Sequence, residues 1–267
     1  MSDWRVIGAS VTGTSHLRAG RGCDDAHAYR TLEPDHLLIA VADGAGSALR
    51  SARGAATAAQ VAIDAAGHML SQQVEPSASD QWLSVLTYIL TTAREALVLL
   101  TRESVPVASD LPGSASKSAA EMSSLRDFAT TLLIAIVTAH WIAVAQIGDG
   151  AVVIQLPDGS TTSLTPSYRG EYINETCFLT DAEYLARADY TILPRAGTQG
   201  IALLTDGLQL VAMNFPENTP HQPFFTPLFK FAANPEAQPE ELQRFLESER
   251  ICARTDDDKT LVLAVYP

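Results

Sequence analysis

Residues 127–164 read DFATTLLIAIVTAHWIAVAQIGDGAVVIQLPDGSTTSL. Three apolar runs of strand length, Thr131–Thr138, Trp141–Ile147 and Ala151–Leu156, are separated by short turns at Thr138–His140 and Gly148–Gly150. Asp158 with Gly159 then signals a hairpin into the next strand. Connections this short join antiparallel neighbours, because a parallel crossover needs a dozen residues or more. The stretch therefore reads as an antiparallel meander.

Working outward, Trp4–Val11 reads as an opening strand, and GTSHLRAGRGCDDA (13–26) as a polar, Gly-rich loop leading to a strand at His27–Leu32. A turn at Glu33 and Pro34 precedes LLIAVADG (37–44), a buried strand that stops at an acid and a glycine. Apolar residues at helical spacing predict helices over 51–72 and 81–101. Residues 104–124, with Pro106, Pro112, Gly113 and many serines, are expected to form a mobile loop. Strands follow at 189–193, 200–205 and 260–266, with Pro-interrupted helix over 208–250 and a last helix from Pro239. Strands, two long helices, more strands, more helix and a closing strand do not alternate as a doubly wound parallel sheet does. The order predicts an α+β sandwich, with helices covering antiparallel sheets, and one domain spanning 1–267.

Composition narrows the function. The net charge of −13 over 267 residues repels polyanions, which argues against nucleic acid as a partner. No uninterrupted apolar run is long enough to span a bilayer, and MSDWRVIGAS has neither a basic leader nor an apolar signal core, so no membrane partner is expected. Three widely spaced cysteines, Cys23, Cys177 and Cys252, argue for a reducing, cytoplasmic location and read as small buried hydrophobes.

The chemistry is in the acids. LLIAVADG and IALLTDG (201–207) are both buried strands ending in Asp-Gly, and Asp256, Asp257 and Asp258 precede the last strand. Converging carboxylates suit Mg²⁺ or Mn²⁺, hard cations that take oxygen ligands and keep several waters. Asp43 is the choice for a bridging ligand, with the Gly44 carbonyl beside it. Asp206 and Asp257 would complete one ion, and Asp25, directly or through water, would hold a second. Two such ions, about 3.5–4 Å apart, can hold a water between them for in-line attack on phosphorus. The bland readings go elsewhere. Asp158 and Asp149 are read as turn residues, and His68, His140 and His221 as incidental. His16 could donate to a phosphate or protonate a leaving oxygen, although a structural hydrogen bond is the commoner use.

VADGAGS, the D-x-A-T-T-L segment at Asp127–Leu132, IGDG, LLTDG and DDDKTLVLAV occur in an order that resembles the metal-dependent serine/threonine phosphatases of the protein phosphatase 2C family, in particular a compact bacterial branch. The resemblance covers nearly the whole chain. It implies a four-layer α-β-β-α sandwich with a two-metal centre and hydrolysis of phosphoserine or phosphothreonine, a phosphorylated protein as substrate, and a Ser/Thr kinase as a partner. It further implies Asp43 as the bridge, the Gly44 carbonyl and Asp206 as ligands, and, by alignment on Thr260, Asp257 with Asp258 in the adjacent polar place. Asp25 matches the acid that holds metal-bound water, Asp24 the position before it, and Asp127 an acid of a third, weaker metal site. Many members carry an Arg four residues before the acidic pair to hold the substrate phosphate. That position is Gly20 here, so Arg18, Arg21 or His16 would have to substitute. The family's flap looks abbreviated near EYINET, where Glu171 and Asn174 are expected to line the cleft. Two other functions fit the same residues: a catalytically inactive module that binds a phosphoprotein or kinase, and a phosphatase of small phosphorylated metabolites.

Overall fold

The chain, in a computed structural model that describes residues 4–32, 35–72, 75–103, 124–165 and 176–266, runs in this order: β1 (Arg5–Val11), α1 (Thr14–Arg18), β2 (Ala26–Leu32), β3 (His36–Ala42), α2 (Ser51–Gln72), α3 (Ser79–Glu103), β4 (Leu132–Val137), β5 (Trp141–Ile147), β6 (Ala151–Gln155), β7 (Thr161–Ser163), β8 (Asp189–Pro194), β9 (Gly200–Leu204), α4 (Gln209–Ala212), β10 (Met213–Asn214), β11 (Thr219–Pro220), α5 (Gln222–Ala233), α6 (Pro239–Leu246), α7 (Glu249–Cys252) and β12 (Lys259–Val265). Apart from Ser124, the loop expected at 104–124 lies outside the described residues, as do the Glu33–Pro34 turn, Glu171 and Asn174.

Two five-stranded antiparallel sheets, ordered β2-β3-β4-β5-β8 and β1-β12-β9-β6-β7, form the centre. The apolar runs are continuous because both faces of these strands are covered. In β3, Leu38, Ala40 and Ala42 pack under α2 and α3, while Leu37, Ile39 and Val41 meet Val262 and Ala264 of the opposite sheet. On the far side, Leu261 and Leu263 of β12 pack under Phe225 and Leu228 of α5 and Leu242 of α6. Three apolar interfaces thus separate four layers, the expected α-β-β-α order. Only α3, among the described residues, is long and apolar enough to cross a membrane. Its Trp82, Leu86, Ile89, Ala93 and Leu97 are instead buried against α2 and the sheet.

One expectation fails. Residues 131–156 are not a continuous meander: β4 and β5 pair as a hairpin, but β6 pairs with β7 and β9 in the other sheet. Gly148–Gly150 is therefore a crossover between the sheets. Its geometry explains the switch. Gly148 has φ +105, and a Cβ on Gly150 would stand 2.7 Å from the Leu204 carbonyl oxygen, so the turn can leave β5 and settle directly on β9.

Candidate metal centre

Strand register gathers the acids at one end of the sandwich. Ala26 pairs with Ala42, so Asp25 enters β2 where Asp43 leaves β3. Leu204 pairs with both Leu261 and Ala151, so the residues after β9, before β12 and before β6 also lie together. Thr131 ties the end of β3 down: its N–H donates to the Asp43 carbonyl at 2.8 Å and its Oγ1 accepts the Asp43 N–H at 2.9 Å. Gly44 faces Thr130 as a bridge whose hydrogen bonds are made by Asp43 and Ala45, which turns the Gly44 carbonyl away from that neighbour.

Asp43, Asp149 and Asp206 each present a carboxylate oxygen within 4.8 Å of the others. Asp43 and Asp206 also perturb each other directly, Asp206 raising the Asp43 carboxyl and Asp43 lowering that of Asp206. Burial, then the charges of Asp25 and Asp206, push Asp43 up to about 11. Burial raises Asp206 to about 6, with repulsion from Asp149 next, and Asp149 is raised chiefly by burial. Asp257 adds repulsion to all three from a more exposed position. Asp25, buried, accepts from Thr205 Oγ1 at 2.7 Å, yet burial still lifts it to about 7. Clustered, largely desolvated carboxylates that repel one another without a cation are a donor set suited to a hard divalent ion.

A second cluster adjoins the first. Asp258, 3% exposed, accepts the Gly13 N–H on Oδ1 at 2.6 Å, the Asp24 N–H on Oδ2 at 2.5 Å and His16 Nδ1 on Oδ2 at 3.0 Å. With Nδ1 committed to that carboxylate, the other ring nitrogen, Nε2, faces Asp24 Oδ2 at 4.0 Å. The Asp24 carboxylate pairs with Arg21 Nη2 at 2.5 Å, and Arg21 Nη1 donates to the Gly46 carbonyl at 2.8 Å.

Of the residues picked out in the sequence, Asp25, Asp43, Asp206 and Asp257 lie together, with Gly44 between Asp43 and the Asp24 backbone. A Cβ on Gly44 would stand 2.5 Å from the Asp24 carbonyl oxygen. Asp24, His16 and Arg21 form the adjoining cluster. Arg18 is exposed and has no partner among the described residues. Asp127 is placed apart from both clusters: its carboxylate caps the short 3₁₀ turn Leu125–Phe128, accepting the Ser124 N–H at 2.8 Å. Asp149 is the residue that sequence reasoning set aside. The available signal was that IGDG, like VADG and LLTDG, is a buried strand ending in Asp-Gly.

Residues 12–247 match the family model described as Protein phosphatase 2C. The chain belongs to that family. Among curated proteins, serine/threonine-protein phosphatase 3 of Escherichia coli (strain K12) is 36% identical over 273 residues, covering 99% of both chains. Among solved structures, the serine/threonine phosphatase Stp1 from Staphylococcus aureus aligns with a TM-score of 0.61 at 15% identity, over 98% of this chain and 94% of that one. The catalytic domain of the serine threonine protein phosphatase PstP, solved in complex with 2 manganese ions, aligns at 0.58 and 20% identity, over 98% and 97%. The protein phosphatase 2C fold accounts for the two sheets.

Proposed function

We propose that this protein is a metal-dependent phosphoprotein phosphatase acting on phosphoserine and phosphothreonine, with the whole chain as one catalytic unit. The observation that carries the proposal is the convergence of Asp43, Asp149 and Asp206 from three loops of both sheets, with one carboxylate oxygen of each within 4.8 Å of the others. In this reading Asp43 would be shared by two Mg²⁺ or Mn²⁺ ions, Asp206 and Asp257 would complete one, Asp25 would hold the other, and the Gly44 carbonyl and Asp149 would be further ligands. Asp127 is left for a third, weaker site. Divalent ions, when bound, supply polarisation of the phosphoryl group and acidification of water.

The chain's own residues do the rest. Arg21, held by Asp24 and the Gly46 carbonyl with part of its fork turned to solvent, is the cation placed to grip the phosphate. His16, whose Nδ1 faces the Asp258 carboxylate, would present Nε2 toward the departing serine or threonine oxygen. A Ser/Thr kinase is the class of enzyme that makes such a substrate. Three free cysteines favour a reducing, cytoplasmic setting.

Phosphate release from a phosphothreonine peptide with Mn²⁺, compared with Asp43→Asn and with a panel of phosphorylated metabolites, tests the reading. Activity on the peptide that Asp43→Asn abolishes is expected. Equal inactivity of both proteins overturns it, and faster turnover of a metabolite redirects it.

A further inference from the structure

The outer helical layer holds a groove of about 390 Å³ between α5, α6 and α7 that shares no lining residue with the acidic centre. That volume is within the range of small-molecule sites, roughly 300–1,000 Å³. Its walls are apolar and aromatic, with Phe224, Phe231 and Phe245 prominent. Phe224 and Phe245 pack ring against ring at 6.1 Å, so the walls brace each other across the helices.

The rim has the opposite chemistry. Arg250 and Arg254, four residues apart on α7 and the turn that ends it, line the groove, and their guanidinium groups have no hydrogen-bond or ion-pair partner among the described residues. The acid at the rim, Glu241, is committed to the start of α6, where its Oε2 accepts the Gln238 N–H at 3.0 Å. His221 is a further potential donor. In a chain of net charge −13, two unpaired guanidinium groups over an apolar groove are a local reversal of the field. A cationic ligand would be repelled there, and a neutral one would cover the guanidinium groups without pairing them, which costs free energy. A planar carboxylate matches the donor fork of arginine and an aliphatic body matches the walls.

We propose that this groove binds an amphipathic carboxylate, its chain against the phenylalanines and its head on Arg250 and Arg254. The inference does not depend on metal chemistry at the other end of the fold.

Calorimetric titration of the full-length protein with decanoate, below its micelle concentration and without added divalent ions, is the test. Decanoate should bind at least tenfold more tightly than decanol or decyltrimethylammonium. The double variant Arg250→Ala/Arg254→Ala should lose that preference, while Arg102→Ala, which removes the same kind of charge from α3, should keep it. Both substituted arginines are exposed, and circular dichroism checks that the fold is intact. No saturable decanoate binding, equal affinity for the three amphiphiles, or an unchanged preference in the double variant would overturn the proposal.

Discussion

Asp258 Oδ2 lies 3.0 Å from His16 Nδ1, and the same carboxylate takes the N–H groups of Gly13 and Asp24. One buried side chain thus fixes α1, the acidic pair and the imidazole relative to β12. Asp258→Ala should leave two buried N–H groups without acceptors, each costing about 1–3 kcal/mol. Asp258→Asn keeps one acceptor oxygen and should fall between. Urea titration reads the stability loss, and kcat for phosphate release should fall in both variants if the ring has lost its orientation.

Asp149 and Asp158 are both followed by glycine but should behave differently. Asp158 accepts the Ser160 N–H at 2.9 Å and its hydroxyl at 2.6 Å within an exposed hairpin. Asp149 has one buried oxygen, Oδ1, without a partner, and the other bonded to Thr176 Oγ1 at 3.0 Å. Asp149→Ala should weaken Mn²⁺ binding at least tenfold by calorimetry, about 1.4 kcal/mol. Asp158→Ala should leave it unchanged.

The metal-free protein should lose stability as pH rises. Burial and mutual repulsion hold Asp206 at about 6 and Asp25 at about 7 in the folded state, above the ordinary 3.8. A raised folded-state value means that the folded chain binds more protons than the unfolded one. The contribution is complete below about pH 4 and is lost as pH passes through the folded values. In chelator, the urea midpoint at about pH 7.5 should lie below that at about pH 5. Saturating Mn²⁺ should reverse the order, because it takes the place of those protons. Asp206→Asn, which removes one titrating group and a charge that repels Asp25, should flatten the metal-free slope. A flat profile in the parent protein would contradict this account of the site.

Arg18 and Arg21 separate binding from scaffolding. Arg21 is tied to Asp24 and Gly46, whereas Arg18 points into solvent. Arg21→Ala should raise KM for phosphopeptide at least tenfold, with a stability loss of about 1 kcal/mol from the broken hydrogen bonds. Arg18→Ala should move neither by more than about twofold, since exposed charges contribute little. The reverse pattern in a steady-state assay would move the phosphate grip to Arg18.

Gly207 follows Asp206 so closely beneath Asp258 that an added Cβ would stand 1.9 Å from the Asp258 carbonyl oxygen. Backbone would have to move on one side or the other. Gly207→Ala should therefore cost about 1–3 kcal/mol or more and weaken Mn²⁺ binding as well, which thermal denaturation and calorimetry would show together.

The sequence by itself determined the strands, the two long helices and the candidate ligands at the ends of apolar runs. These signals are local: a buried strand is legible from its unbroken aliphatic run, and Asp-Gly marks where it stops. Asp43 and Asp206 could be found this way because both sheet faces are covered, leaving LLIAVADG and IALLTDG without polar interruptions. Tertiary structure alone decided what Asp149 and Asp258 do. Three residues between two strands look the same in sequence whether they close a hairpin or carry the chain to the opposite sheet. The difference lies in the pairing of β6 with β9, more than forty residues later in the chain. Likewise, nothing local distinguishes Asp258 from its acidic neighbours. Its place is set by the antiparallel pairing of β1 and β12 at opposite ends of the chain, which brings Gly13 and His16 to a carboxylate over two hundred residues away.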